Sequence, residues 1–196
     1  VITATSNSPV CTGLRDTLFL QANGAPPGTT YTWTGPYTFR SGAQNPLRTP
    51  VVKEYAGIYY VTAHLGQCNS ITIPDTVEVR ETPPTPWINW LTYCQYYDAP
   101  PLMASGSNIL WYATVGGAGS VTPPVPPTNT VGRKFYYVTQ TVEGCTSATD
   151  SIQITVYPKP EIRSITQDTA VCPHDSALLT VVNTDPIAYY KWYPGL

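Results

Sequence analysis

Charge is what this 196-residue chain has least of: Asp, Glu, Lys and Arg together make up 11% of it, and the formal net charge is -2. So sparse a charge has no basic field with which to hold a phosphate backbone or an anionic bilayer surface, and nucleic acid is not an expected partner. Long apolar runs are also missing. The longest, such as Ile58 to Val61 and Phe135 to Val138, fall far short of the ~20 residues that cross a hydrocarbon core, and no charged start followed by an apolar run marks a leader. Membrane insertion is therefore not expected. No stretch carries the three-to-four-residue apolar spacing of an amphipathic helix. Histidine is down to two residues, His64 and His174, and no short Cys-x-x-Cys occurs, so neither a metal nor any other cofactor is expected.

What is abundant is Pro, with 21 residues, and Tyr, with 15, alongside Thr throughout. These residues favour strands, turns and extended joints. They are arranged in a repeat. "CTGLRDTLFLQANG" at Cys11 is echoed by "CQYYDAPPLMASG" at Cys94 and "CPHDSALLTVVN" at Cys172, about eighty residues apart each time. After each Cys an alternating strand is expected, then a Trp flanked by Tyr or Thr: "YTWTG" at Trp33, "LWYAT" at Trp111, "YKWYPG" at Trp192. Two of the three repeats have endings, "GIYYVTAHLGQC" to Cys68 and "KFYYVTQTVEGC" to Cys145, each followed by a closing strand, "DTVEVRE" and "DSIQITVYP". Period-two alternation interrupted by turn signals such as "NGAPPG" predicts an all-β fold of tandem sandwich domains. The proline-rich joints "TPPTP" (Thr82 to Pro86) and "YPKPE" (Tyr157 to Glu161) set the expected domains at 1–82, 83–159 and 160–196, standing in line, the third being the incomplete start of a domain in a longer chain.

The five cysteines follow the repeat. Cys11 with Cys68 and Cys94 with Cys145 occupy matching places, with a Trp between the members of each pair, as where a disulfide joins two strands and an indole packs on it. Those two pairings are the expectation, with Cys172 left unpaired by truncation. Paired cysteines imply an oxidising, extracellular location.

The middle repeat, "YCQYYDAPPLMASGSNILWYATVGGAGSVTPPVPPTNTVGRKFYYVTQTVEGCTSATDSIQITV", resembles the immunoglobulin-like repeats of large cell-surface proteins of Bacteroidota, gliding adhesins among them. The resemblance rests on Tyr93 to Gln95, on "SNILWYAT" with its Gly-rich turn, and on "YYVTQTVEGC". The first repeat, with "SNSPVC", "YTWTGP" and "AGIYYVTAHLGQC", is similar to a sister class of immunoglobulin-like or PKD-like modules, and the third matches as far as it goes. The resemblance implies tandem immunoglobulin-like domains exported to the cell surface, commonly by type IX secretion.

No residue pattern asks for catalysis. Neither histidine has a nucleophile beside it, and Asp98, Glu143 and Asp150 read as solvated turn positions, so no enzyme activity is expected. Two functional expectations remain. One is a structural stalk or spacer of a long adhesin or filament, whose partners are neighbouring repeats of the same chain, with surface polysaccharide or other surface proteins beyond them. The alternative is a carbohydrate-binding accessory module, suggested by "PWINWLTYCQYY", where Trp87, Trp90, Tyr93, Tyr96 and Tyr97 crowd together. The plainer reading has alternate members of that run filling the sandwich edge and the joint. Finally, five of the seven Asp residues precede Ser or Thr and then a small or aliphatic residue. That pattern resembles the O-glycosylation motif of Bacteroidota, which makes Thr17, Thr76, Ser151, Thr169 and Ser176 candidate sugar carriers. An Asp that closes a turn through its own side chain is the competing explanation.

Overall fold

A computed structural model describes residues 1–162, 164–165, 170–182 and 189–193; Thr169 and the last three residues lie outside them. Among the described residues all regular structure is strand apart from one 3-10 turn, Lys53–Tyr55. The chain divides into two compact units. One holds Val1–Asn89, Met103–Pro123 and Tyr136–Ser151; the other holds Trp90–Leu102, Pro124–Phe135 and Ile152–Leu196. The first repeat lies wholly in the first unit, while the second repeat contributes to both.

The first repeat forms β1 (Thr3–Ser6), β2 (Val10–Cys11), β3 (Leu18–Asn23), β4 (Thr30–Gly35), β5 (Phe39–Ser41), β6 (Leu47–Arg48), β7 (Gly57–Leu65), β8 (Cys68–Asn69), β9 (Ile73–Val77) and β10 (Val79–Arg80). One sheet has the order β1-β3-β6. The other runs β5-β4-β7, with β8 and β9 both paired to β7, and β2 lies parallel to β10. Two antiparallel sheets with an N-terminal edge strand parallel to the last strand make an immunoglobulin-like sandwich. Its core follows from alternation. Leu18, Leu20 and Ala22 of β3, Tyr31 and Trp33 of β4, and Tyr59, Val61 and Ala63 of β7 are buried while their neighbours Phe19, Ile58 and Tyr60 are exposed, as a period of two requires.

At one end of this core a cation is held indoors. Arg48, on β6 of the first sheet, is buried, and its Nη1 donates to the hydroxyl of Tyr59 on β7 of the second sheet at 2.7 Å and to the Pro36 carbonyl at 3.0 Å. Its guanidinium lies 3.4 Å from the Tyr55 ring centroid and 4.8 Å from that of Phe39. The Tyr59 hydroxyl donates to the carbonyl of Tyr55, four residues back, at 3.0 Å. That is the tyrosine corner of this fold class, which sits two residues ahead of the second cysteine of the inter-sheet disulfide. Here the place two residues on belongs to buried Val61. Gly35 completes the corner, because a Cβ there would come within 2.5 Å of the Tyr59 ring.

The second repeat contributes β11 (Leu91–Cys94), β12 (Leu110–Tyr112), β13 (Gly132–Thr139), β14 (Thr141–Val142), β15 (Cys145–Thr146) and β16 (Asp150–Tyr157). β12 pairs antiparallel with β13 so that Trp111 faces Val138, the register in which Trp33 faces Val61 in the first repeat. In the other unit β11 runs parallel to β16, and β17 (Ser164–Ile165) pairs with β18 (Val181–Val182). Ile152, Ile154 and Val156 alternate inward on β16. The strand expected directly after Cys94 does not form as a ladder. Pro100 and Pro101 have no N–H to give, and the Leu102 N–H, bonded to the Pro124 carbonyl, anchors the segment instead.

Replacing Tyr59 with Phe leaves the ring and removes the bridge between the sheets; urea denaturation should show a loss of about 1–3 kcal/mol. Burial raises the Tyr59 pKa above its ordinary value, opposed by the hydrogen bond from Arg48. As pH rises past about 10 the unfolded chain gives up this proton first, so the contribution is complete below that pH and lost as pH climbs through the folded-state pKa. Tyr59→Phe should flatten that alkaline loss; an unchanged alkaline profile would assign it to another group.

Candidate functional site

The cysteines are where structure and expectation part. Cys11 is bonded to Cys145, 134 positions on in sequence, with Cα atoms 5.7 Å apart. Cys68, Cys94 and Cys172 are free and exposed. The Cys11–Cys68 pairing fails on the length of β7. Cys11 faces Arg80, just beyond Val77, which pairs with Gly57 at the start of β7, whereas Cys68 faces Leu65 at its end. Eight residue steps of strand, roughly 26 Å, separate the two levels, while a disulfide needs Cα atoms within about 7 Å. The Cys94–Cys145 pairing fails because the Cys145 sulfur belongs to Cys11. One signal in the sequence pointed this way. Cys11 precedes β3 by seven residues and so lies on the edge strand, not on a strand that crosses the core.

Around the bond the first and second repeats are tied by further contacts, all inside the first unit. Arg80 Nη1 donates to the Glu143 carbonyl at 2.6 Å, while its Nε meets the Glu78 carboxylate at 2.7 Å. That hydrogen bond from Arg80 holds the Glu78 carboxyl below its usual range. Gln140 is buried. Its Nε2 donates to the Pro84 carbonyl at 2.8 Å and its Oε1 accepts from the Ser107 N–H at 3.0 Å. Trp87 and Ser105 exchange two backbone hydrogen bonds, of 3.3 and 3.0 Å. The "TPPTP" joint is therefore clamped at its own backbone by a polar side chain from the next repeat. Arg80 and Gln140 were not singled out in the sequence, where nothing separates them from ordinary surface polar residues.

The aromatic run behaves differently from the plainer expectation. Trp87 is 68% exposed and Trp90 80%, in different units, and Pro86 takes the buried place beside them. In the second unit Tyr93 and Tyr97 stack with centroids 5.7 Å apart and planes 19° from parallel. Burial, then proximity to Tyr97, raises the Tyr93 pKa. The Tyr97 carbonyl accepts from Thr128 Oγ1 at 2.6 Å.

His64 is occupied structurally: Nε2 meets Thr32 Oγ1 at 3.0 Å and Nδ1 meets Asn69 Oδ1 at 2.7 Å, both on neighbouring strands. Among the described residues no three His, Cys, Asp or Glu side chains gather as a metal site, and no helix is long and apolar enough to cross a membrane. Of the candidate sugar carriers, Thr76 and Ser176 are exposed, Thr17 and Ser151 are half-buried, and Thr169 lies outside the described residues. The Ser151 N–H donates to Asp150 Oδ1 at 2.7 Å, the local bond that the turn explanation requires.

No family model and no curated protein matches the chain. Among solved structures it is similar to the three N-terminal domains of the highly immunogenic outer capsid protein of bacteriophage RB49, at 17% identity and a TM-score of 0.45, over 94% of this chain and 68% of that one. It is similar also to the N-terminal eight Ig domains of Down syndrome cell adhesion molecule, at 16% identity and 0.37, over 80% and 24%, and to the tandem Ig repeats of Dlar, at 16% and 0.32, over 81% and 98%. These are tandem immunoglobulin-like proteins.

Peptide mapping without reductant should recover Cys11 joined to Cys145, with Cys68, Cys94 and Cys172 alkylated as free thiols. A Cys11–Cys68 peptide would restore the pairing within one repeat.

Proposed function

We propose that this chain is a stalk segment of a long, exported, multi-domain surface protein, an adhesin or filament in which its domains supply length and stiffness. The observation that carries this reading is the Cys11–Cys145 bond, because it joins consecutive repeats instead of closing one. A hinge at a proline-rich joint would need only the connecting chain. Here the joint is crossed by a disulfide, by Arg80 on the Glu143 carbonyl and by Gln140 on the Pro84 carbonyl. Such cross-ties resist bending and the local opening that proteases exploit. Domains at 1–82, 83–159 and the incomplete 160–196 fit the reading, as do extracellular placement and the resemblance to Bacteroidota gliding adhesins exported by type IX secretion. Neighbouring repeats are the main partners. O-linked sugars on Thr17, Thr76, Ser151, Thr169 and Ser176 would shield strand starts; mass spectrometry of peptides from the native host should show hexose-sized increments on at least one of the five, and unmodified peptides at all five would leave the turn explanation.

Cys145→Ser should lower stability by about 2–4 kcal/mol and broaden the solution scattering of the chain as the joint loosens. An unaltered scattering profile would show that the joint is stiff without the bond and would remove the main support for the spacer reading.

Exposure of Trp87 and Trp90 favours a second reading, in which either indole stacks on a sugar face as a carbohydrate-binding accessory module. Glycan-array binding that disappears in Trp87→Ala and Trp90→Ala, both surface changes that leave the core untouched, would establish it.

A further inference from the structure

Tension along this chain enters the first repeat at its N-terminal edge and, followed along the backbone, leaves it at β10. Those two edges are parallel, with Val10 opposite Val79 and Cys11 opposite Arg80. Pulled from the two sides of the repeat, parallel neighbours slide along their length, so every bond between them is loaded at once. Antiparallel neighbours joined by a turn open one bond at a time. The bonds that cross here run from the Val10 N–H to the Glu78 carbonyl at 3.1 Å and from the Thr12 N–H to the Arg80 carbonyl at 2.8 Å. Two side chains add to them: Ser8 Oγ accepts from the Glu78 N–H at 2.8 Å, and Thr12 Oγ1 from the Thr82 N–H at 3.0 Å. Thr82 Oγ1 donates in turn to the Thr12 carbonyl. The second repeat has the same order, β11 parallel to β16, with the Gln95 N–H on the Tyr157 carbonyl at 2.8 Å.

Cys11 ends this ladder, and its sulfur opens a different route. The bond to Cys145 encloses residues 12–144, with every strand from β3 to β14, in one covalent loop. A pull from ahead of Cys11 against a pull from beyond Cys145 therefore has a covalent path that passes through no residue of the loop. Much of that path is already extended, with β1 and β2 before the bond and β15 and β16 after it. A strand at about 3.3 Å per residue has little length left to give, because a chain spans at most about 3.6 Å per residue. Cys145 is fully buried and Cys11 half-buried, so the fold shelters the bond from dissolved thiols.

We propose that the Cys11–Cys145 bond is a tension strap: load arriving at β2 crosses to β15 and runs out along β16, while the first sandwich hangs from this line unstretched. With the bond open, the same load falls on the β2–β10 ladder, which resists in shear. The inference rests on the stalk reading, which supplies the tension. Its consequence is a limit on how far the chain lengthens. With the bond closed, only residues 1–10 and 146–196 can be drawn out, roughly 200–220 Å at full extension. With it open, the 134 positions from Cys11 to Cys145 add about 440–480 Å.

The test is single-molecule stretching of the full chain, held by tags at its two ends, with the exposed thiols of Cys68, Cys94 and Cys172 alkylated. The bonded protein should reach a contour length of roughly 200–220 Å and stop there. Cys11→Ser should lengthen by about 440–480 Å beyond that limit, and so should the unsubstituted protein after reduction with dithiothreitol, in which no side chain has been replaced. Part of the added length should arrive as one discrete step of about 230–250 Å, the span from Cys11 to Arg80. Adding Ser8→Ala and Thr12→Val to the Cys11→Ser chain removes two ladder bonds, and at fixed load should raise the rate of that step about ten-fold. A bonded chain that lengthens past its limit, or an open chain whose step keeps its rate without the two ladder bonds, would overturn the inference. Stretching and bending are separate readouts. A load path confirmed here, beside scattering that does not change in Cys145→Ser, would leave the strap in place and remove the spacer argument.

Discussion

Everything in the first domain hangs on how its two sheets are held face to face without a disulfide through the core. In the fold class that role goes to a cysteine pair beneath a tryptophan. Here the place beyond the tyrosine corner is Val61, and the sheets are tied at the end of the core by Arg48, which reaches from β6 to Tyr59 on β7. Burying a guanidinium is costly unless its donors and faces are filled. Pro36, Tyr59, Tyr55 and Phe39 fill them with two oxygens and aromatic surface. The tie works because Tyr59 passes its own proton to the Tyr55 carbonyl, so the whole corner is satisfied.

A core that closes without cysteine leaves cysteine for another purpose. At the edge ladder and at the hairpin tip a thiol cannot help the sandwich that carries it, since those places lie at opposite ends of β7. It can reach a neighbour. The Cys11–Cys145 bond ties the first repeat to the second at their joint, and Arg80 and Gln140 add directional hydrogen bonds there.

The periodic features were legible early. The strands that alternation places in "DTLFLQA", "TTYTWTG" and "GIYYVTAHL" form as Leu18–Asn23, Thr30–Gly35 and Gly57–Leu65, with Trp33, Tyr59 and Val61 inside. The strand expected directly after Cys94 does not form, because "DAPP" breaks the ladder that the echo of the first repeat suggests. Of the two readings of the aromatic run, the one that puts alternate members inside does not describe Trp87 and Trp90, which are both exposed. Composition says that Trp87 and Trp90 are large and apolar, yet which of Pro86, Trp87 and Trp90 goes inside depends on the backbone pairing of Trp87 with Ser105.

By itself the sequence determined the all-β class, the repeat and the two places at which cysteine recurs, because period-two burial and turn chemistry are local and leave a local trace. Only the tertiary structure decided which cysteine meets which. The spacing between two cysteines does not say whether their strand positions meet, and two positions fifty-seven residues apart in one sandwich are kept apart by the length of β7, while two in successive repeats, 134 apart, come within 5.7 Å.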